Sequence, residues 1–371
     1  MASPFLESAV DLARPHHIPL AFAIYVVIVI LQYVTLRWFA NRPGKYVWLA
    51  FFTPLLVLVI FRYIPQGMFT AASHVMGWGS IGLPNLIGLS YLTFRCSRLA
   101  LEIRNGAAPM PGLWGYLGFA FFLPTMSVGP INTYANYRRG FAATPWEVPV
   151  GRAVLRIMVG AVKFKFLSGV FSELGYDGLL RNGHLHPWIH LPIAMVFYYL
   201  FLYFNFSGFC DMAIGAAAMI GIPVPENFDN PFAARNIKDF WNRWHITLSQ
   251  WMRDLVFAPL SKFLVRLMGP SQANQAIAIT IIVVFLLVGI WHGVGWNYAI
   301  FGGIHAVGLV TNHYYTIGLK KMLGREGFKT YMGNLWIHGA AVLLTFAYCA
   351  ASLLFFANNL QQIKEIFGAL R

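Results

Sequence analysis

Residues 276–291 read AIAITIIVVFLLVGIW, a nearly uninterrupted apolar run, and His292 follows directly. A spanning helix needs roughly 20 mostly apolar residues, so the run reads as a transmembrane helix with a histidine at its hydrocarbon edge. Ionisable groups at such depth are rare, face the protein interior and are functional candidates. The plainer reading is a neutral histidine giving one hydrogen bond to a neighbouring helix. The rest of the chain has the same character. Of its 371 residues 58% are hydrophobic and 11% charged, against roughly 25% charged in soluble domains. The apolar runs never pause long enough for a soluble domain. The expectation is an all-α polytopic membrane protein, one membrane-embedded domain over 1–371.

Other candidate spans lie near 18–36, 46–64, 112–130, 153–174, 189–206, 296–318 and 334–357. Weaker ones are 77–94, which is Gly-rich, and 207–224, which is short and closed by Pro223. Together they suggest about ten or eleven spans. Short or broken segments at membrane depth are tolerated only against protein or a water-filled cavity, so the weak pair would shape an interior site.

The net charge of +14 could suggest nucleic acid, but the basic residues sit between apolar runs and form no single stripe. They fit membrane topology instead. Loops 37–45, 95–111, 175–188, 225–273 and 320–333 hold 17 Lys and Arg, against 6 on the other side. That asymmetry puts these loops in the cytoplasm and the N-terminus outside. The stretch 131–152, with Arg138, Arg139 and Arg152, is the exception and reads as re-entrant or as a miscounted span. The N-terminus has no basic n-region and no A-x-A-like site after its first apolar run, which suggests an uncleaved first span. Cys96, Cys210 and Cys349 lie far apart without a CxxC pair and read as small packing residues.

Inside the largest cytoplasmic segment, residues 239–254 read DFWNRWHITLSQWMRD. On one helix Trp241, Trp244, His245, Leu248 and Trp251 share a face. Asp239 and Arg243 fall four apart on the other, in the favourable acid-first order. Such a helix could lie along a bilayer or wall a buried site. Pro225, Asn227, Asp229, Asn230 and Pro231 make its entry irregular.

His245 and His292, each flanked by Trp, fit acyl or proton transfer. A neutral imidazole takes a proton from a hydroxyl near pH 7. A second imidazole or an amide can polarise an acyl carbonyl in a water-poor pocket. Nucleophile elbows and phosphate loops are absent. His305, within GGIHA, reads as packing or support for the site. Asp211 sits in an apolar segment with Ser207 four residues before it, close enough for a local hydrogen bond, and serves either structural pairing or the site. Lys163 and Lys165 are expected to snorkel to an interface. His184, His186 and His190 in HLHPWIH are interrupted by Pro187 and lack H-E-x-x-H, so a polar loop is preferred to a metal site; His16 and His17 read likewise. No metal is expected.

FSGFCDMAIG (206–215), PENFDNPFAARNIKDFWNRWHITLSQWMRD (225–254) and GIWHGVGWNYAIFGGIHA (289–306), in this order, resemble the membrane-bound O-acyltransferase family. IGLSYLTFRCSRLALEIRNG and FFLPTMSVGPINTYANYRR match weaker family blocks, so the resemblance runs over about 80–310. RWH followed at 47 residues by the WHG histidine is its most specific part. The wording is most similar to the bacterial branch of teichoic-acid D-alanyl transfer and alginate O-acetylation. It departs at Ala306, where Gly is common, and at SKFLVRL, where the alginate type has Gly-Gly-Asn-Arg.

The resemblance implies helices ringing a funnel and tunnel, with His292 catalytic and His245 its partner. Trp241, Asn242, Arg243, Trp244, Ser207, Asp211, Trp291, Asn297 and His305 would line substrate or tunnel, the aromatic face of 239–254 enclosing the acyl path and its charged face meeting donor phosphate. No cofactor would be held permanently. The donor would be a cytoplasmic thioester, on an acyl-carrier protein or coenzyme A. The acceptor would be an extracytoplasmic hydroxyl, reached directly or through a partner protein, at a bacterial cytoplasmic membrane. The rivals are a transporter whose histidines relay protons, for which no duplicated halves are seen, and a scaffold indifferent to loss of both histidines.

Overall fold

The computed structural model describes residues 18–39, 42, 44–63, 88–141, 150–176 and 187–368. Among these the regular structure is helical, with one isolated antiparallel bridge between Phe228 and Trp244. In chain order the helices are α1 Ile18–Phe39, α2 Val47–Tyr63, α3 Leu89–Arg104, α4 Leu113–Ala120, α5 Tyr134–Gly140, α6 Val150–Ala161, α7 Ser168–Glu173 and α8 Pro187–Met219. There follow α9 Ile237–Arg243, α10 Ile246–Met252, α11 Ala258–Met268, α12 Ala273–His292, α13 Trp296–Gly333, α14 Leu335–Ala357 and α15 Leu360–Gly368. π turns join α6 to α7 and α10 to α11.

Three of these helical stretches, Trp188–Met219, Pro270–His292 and Leu335–Ala357, are long and apolar enough to cross a membrane. Ala23–Phe39 and Val47–Tyr63 are shorter apolar helices. The protein is an all-α polytopic membrane protein. Several expected spans take another form. Segments 189–206 and 207–224 merge into α8, whose 33 residues span about 50 Å at 1.5 Å per residue. Segment 112–130 gives only α4 and a short 3-10 turn, Leu123–Thr125, and 131–152 gives the short α5. The described part of 77–94 opens α3, an amphipathic helix that buries Arg95 and Glu102. Segment 296–318 begins the longer α13, which breaks at Gly324 (φ 66°, ψ −174°) and carries Asn297, His305, Asn312 and His313 before the break.

The chain divides into two compact units, residues 1–157 with 212–225, and 158–211 with 226–371. In the first, Arg95 gives hydrogen bonds to the carbonyls of Phe119 (3.2 Å) and Ala120 (3.1 Å), and to Thr125 Oγ1 (3.3 Å). A cation thus sits at the carbonyl end of α4, where the helix dipole favours it. The Glu102 carboxylate accepts the backbone N–H of Tyr134 (3.1 Å) and Ala135 (3.4 Å) at the start of α5. In the second unit α12 and α13 cross at glycines. A Cβ on Gly289 would meet the Tyr298 carbonyl at 2.3 Å, and one on Gly302 the Phe285 carbonyl at 2.3 Å. This close approach sets the end of α12, and therefore His292, against α13.

Gly302→Leu should force these backbones apart. Overpacking costs roughly 1–3 kcal/mol. Thermal unfolding in detergent should fall by several degrees while Gly303→Leu, at a position with open space, stays near the parent.

Candidate active site

The expected single helix over 239–254 is two short helices. α9 ends at Arg243 and α10 starts at Ile246, with His245 between them at φ 44°, ψ 53°, in the left-handed region. An L residue there costs roughly 1–2 kcal/mol. Bonds to the irregular entry segment hold it. The Asp229 amide gives a bond to the Arg243 carbonyl and the Ile246 amide to the Asn227 carbonyl, each 3.0 Å. Asn227 Oδ1 accepts Thr247 N–H (3.2 Å) and Thr247 Oγ1–H (2.8 Å). Each such bond contributes about 0.5–1.5 kcal/mol net, so together they outweigh the strain. The face expected to point inward does so despite the break: Trp241, Trp244, His245, Leu248, Trp251 and Met252 are all buried.

His245 is 4% exposed, and its Nδ1 lies 3.2 Å from Asn227 Oδ1. The backbone N–H of Thr247 can only donate, so the Asn227 atom it meets is the oxygen. His245 Nδ1 must then carry the proton. Nε2 is left bare, buried and without a hydrogen-bond partner among the described residues. Burial pushes the imidazole down to about 3, so the ring is neutral throughout the physiological range. Its faces meet Phe206 at 4.8 Å and Trp291 at 6.3 Å between ring centroids. Trp291 also touches His292 at 4.6 Å. One indole thus joins the two histidines. His292, half-buried at the last position of α12, lies against Phe356 at 4.9 Å and Phe301 at 6.0 Å. Gly293 follows because the Tyr298 ring crosses its backbone, where a Cβ would come within 2.0 Å.

His305, on α13, has both ring nitrogens committed. Trp241 Nε1–H gives a hydrogen bond to its Nδ1 (3.2 Å), and its Nε2 lies 2.9 Å from Ser352 Oγ. Ser352 donates its own hydrogen to the Cys349 carbonyl (2.7 Å). His305 is therefore the neutral Nε2–H tautomer, and it pins Trp241. Asn297 gives a hydrogen bond to the Phe355 carbonyl (3.1 Å), next to the Phe356 that packs on His292. Trp244 stacks on Phe240 at 5.6 Å and meets Phe228 edge-on at 5.0 Å.

Most of the remaining candidates are held in structural contacts, and the expected Asp239–Arg243 pair and a structural pairing for Asp211 are among them. Lys163, expected at an interface, pairs with Asp211 at 2.7 Å, which balances that carboxylate as a buried charge requires. Ser207 is buried, and its hydroxyl has no partner, so it does not bond Asp211. Arg243 is tied to Asp239 (2.9 Å) and to the Asp229 carbonyl (3.2 Å), and it braces the entry segment. Asn242 is exposed and accepts from Arg253 (3.0 Å). Sequence reasoning missed Asn227, Thr247, Phe206 and Phe356. Asn227 was visible only as one of the residues that make the entry irregular. His184 and His186 lie outside the described residues.

The profile of the membrane-bound O-acyltransferase family matches residues 45–335. The chain belongs to this family. It is 31% identical over 357 residues to a teichoic acid D-alanyltransferase of Streptococcus thermophilus, covering 93% of this chain and 83% of the relative. It is 28% identical over 350 residues to the teichoic acid D-alanyltransferase of Bacillus subtilis, covering 91% and 84%. A peptidoglycan O-acetyltransferase of Helicobacter pylori is 30% identical over 272 residues, 69% of this chain and 46% of the relative. The protein is thus an O-acyltransferase of the membrane, which disposes of the transporter reading.

Ser352→Ala should leave the buried His305 Nε2–H unpaired, at a cost of about 1–3 kcal/mol. The expected result is a lower melting temperature with nearly unchanged kcat in the folded fraction. A collapse of kcat at unchanged stability would make His305 a reacting group.

Proposed function

We propose that the protein moves an acyl group, D-alanyl or acetyl, from a cytoplasmic thioester to a hydroxyl of a cell-envelope polymer. The donor is a phosphopantetheine carrier protein or acyl coenzyme A, and the acceptor is reached directly or through an extracytoplasmic partner. The observation that carries this reading is Trp291 in contact with both His245 and His292, one ring exposed enough to meet substrate and the other dry. The named relatives support the acceptor class, since each acts on teichoic acid or peptidoglycan.

In this mechanism His292 takes the proton of the acceptor hydroxyl as its oxygen attacks the thioester carbonyl. The tetrahedral intermediate collapses, the C–S bond breaks, and the thiolate leaves with the proton from His292. His245 was expected to polarise the carbonyl by donating. Its bare Nε2 suits a different part: accepting a hydrogen bond from an amide N–H of the pantetheine arm and so aligning the thioester. The aromatic wall of Trp244, Phe240 and Phe228 keeps the path dry, which strengthens both interactions. The surrounding helices form the passage between the two membrane faces, within a single acyltransferase domain of the bacterial cytoplasmic membrane.

His292→Ala should lower acyl transfer by roughly 10²–10⁴-fold, the contribution of a general base, with the protein still folded in the membrane. Labelled D-alanyl and acetyl thioesters supplied to inverted vesicles, with envelope polymers then analysed by mass spectrometry, provide the measurement. Activity within about threefold of the parent would remove the base assignment. Sidedness is tested separately. Cysteines at Lys238 and Lys262, in a chain lacking Cys96, Cys210 and Cys349, should react with impermeant thiol reagents only in inverted vesicles. Labelling from outside would reverse the topology and deny a cytoplasmic donor access to this segment. A cysteine at Ala72, in the loop 65–76 that has no Lys or Arg and lies outside the described residues, is the control expected to react in intact cells.

A further inference from the structure

We propose that Asn227 is a positioning residue of the reaction: it holds His245 in the Nδ1–H tautomer, so that Nε2 always presents a lone pair. This rests on the acyl-transfer reading of the site and adds a residue to it.

The amide cannot turn. Its oxygen is held by Thr247 N–H and Oγ1–H, and its nitrogen reaches Cys210 Sγ on α8 at 3.4 Å. Its own carbonyl receives the Ile246 amide, so the same residue clamps both the backbone and the ring of His245. Asn227 is 1% exposed, so no water competes for the oxygen. The result is a ring whose donor end is occupied and whose acceptor end is buried and unpartnered.

The choice of amide over carboxylate has a chemical consequence. A carboxylate against Nδ1–H would favour imidazolium and consume the lone pair. α8, which carries Phe206, also bears Tyr199, Tyr203, Cys210 and Asp211, the last paired with Lys163, and His292 lies beyond Trp291. Glu226 and Asp229 flank Asn227 in the chain, and Arg243 is committed to Asp239 and Asp229. Asn227 is therefore the group that decides the ring's protonation.

The test uses the full chain in proteoliposomes with an envelope-polymer extract. It follows thiol release from S-acetyl- and S-D-alanylpantetheine between about pH 5 and 9, a range that brackets histidine titration. Asn227→Asp should keep KM within about threefold, but its ratio of rates at pH 6 and pH 8 should fall about tenfold or more below that of the parent, which already needs His292 unprotonated. Asn227→Leu should lower kcat by roughly 10²-fold or more. Histidine 15N spectra of the parent, with the His245 signal assigned from its loss in His245→Asn, should show protonated Nδ1 and bare Nε2. Parent-like kcat in a folded Asn227→Leu, a pH profile in Asn227→Asp that matches the parent's, or an Nε2–H signal for His245 would overturn the proposal. If the parent consumes neither thioester, the acyl-transfer reading fails instead, and the 15N spectrum still decides the tautomer.

Discussion

The site depends on one backbone joint. His245 occupies a conformation that an L residue adopts reluctantly, and it does so because residues 227–229 run alongside 243–247 and bond them across the gap. Had the helix continued, His245 would be one more residue on a regular face. The break lets Asn227 approach the ring from one side while Phe206 and Trp291 approach from others. Strain of this kind persists only where surroundings over-determine it, and it clusters at functional sites.

Around that joint three histidine rings, His245, His292 and His305, divide their duties by hydrogen bonding. His305 spends both nitrogens on structure, accepting from Trp241 and donating to Ser352. His245 spends one nitrogen and keeps the other. His292, at the end of α12, is set by packing: glycines bring α12 against α13, and Phe301 and Phe356 close on the ring. Position at a helix end and a glycine after it leave this ring the most approachable of the three. A proton carrier and a fixed acceptor, joined through Trp291, suit the transfer of an acyl group from sulfur to oxygen.

Much of this was legible in the sequence. The apolar run ending in His292 and the shared face of Trp241, Trp244, His245 and Leu248 follow from periodicity, and that face is buried; the pairing of RWH with WHG comes from the family resemblance. The break at His245 was not legible, because the helical spacing of the apolar residues continues across it and nothing in that pattern announces a left-handed histidine. Asn227 escaped notice for a related reason: an Asn among prolines reads as a turn former, and its partner is 18 positions away. The Lys163–Asp211 pair is likewise a meeting of distant residues, where local reasoning saw a lysine bound for an interface. Hydropathy also placed two spans where α8 is one long helix, because its 33 residues exceed the roughly 20 of a single crossing and the apolar stretch was divided at 206.

The central claim is that His245 and His292 act as one centre. A double-mutant cycle tests it most directly, with His245→Ala, His292→Ala and the pair compared for acyl transfer to envelope polymer. Groups that work as a unit are grossly non-additive. The account predicts that the double variant is no more than about threefold below the worse single variant. If instead the two losses multiply, the histidines act independently, and the shared contact with Trp291 carries no mechanistic meaning.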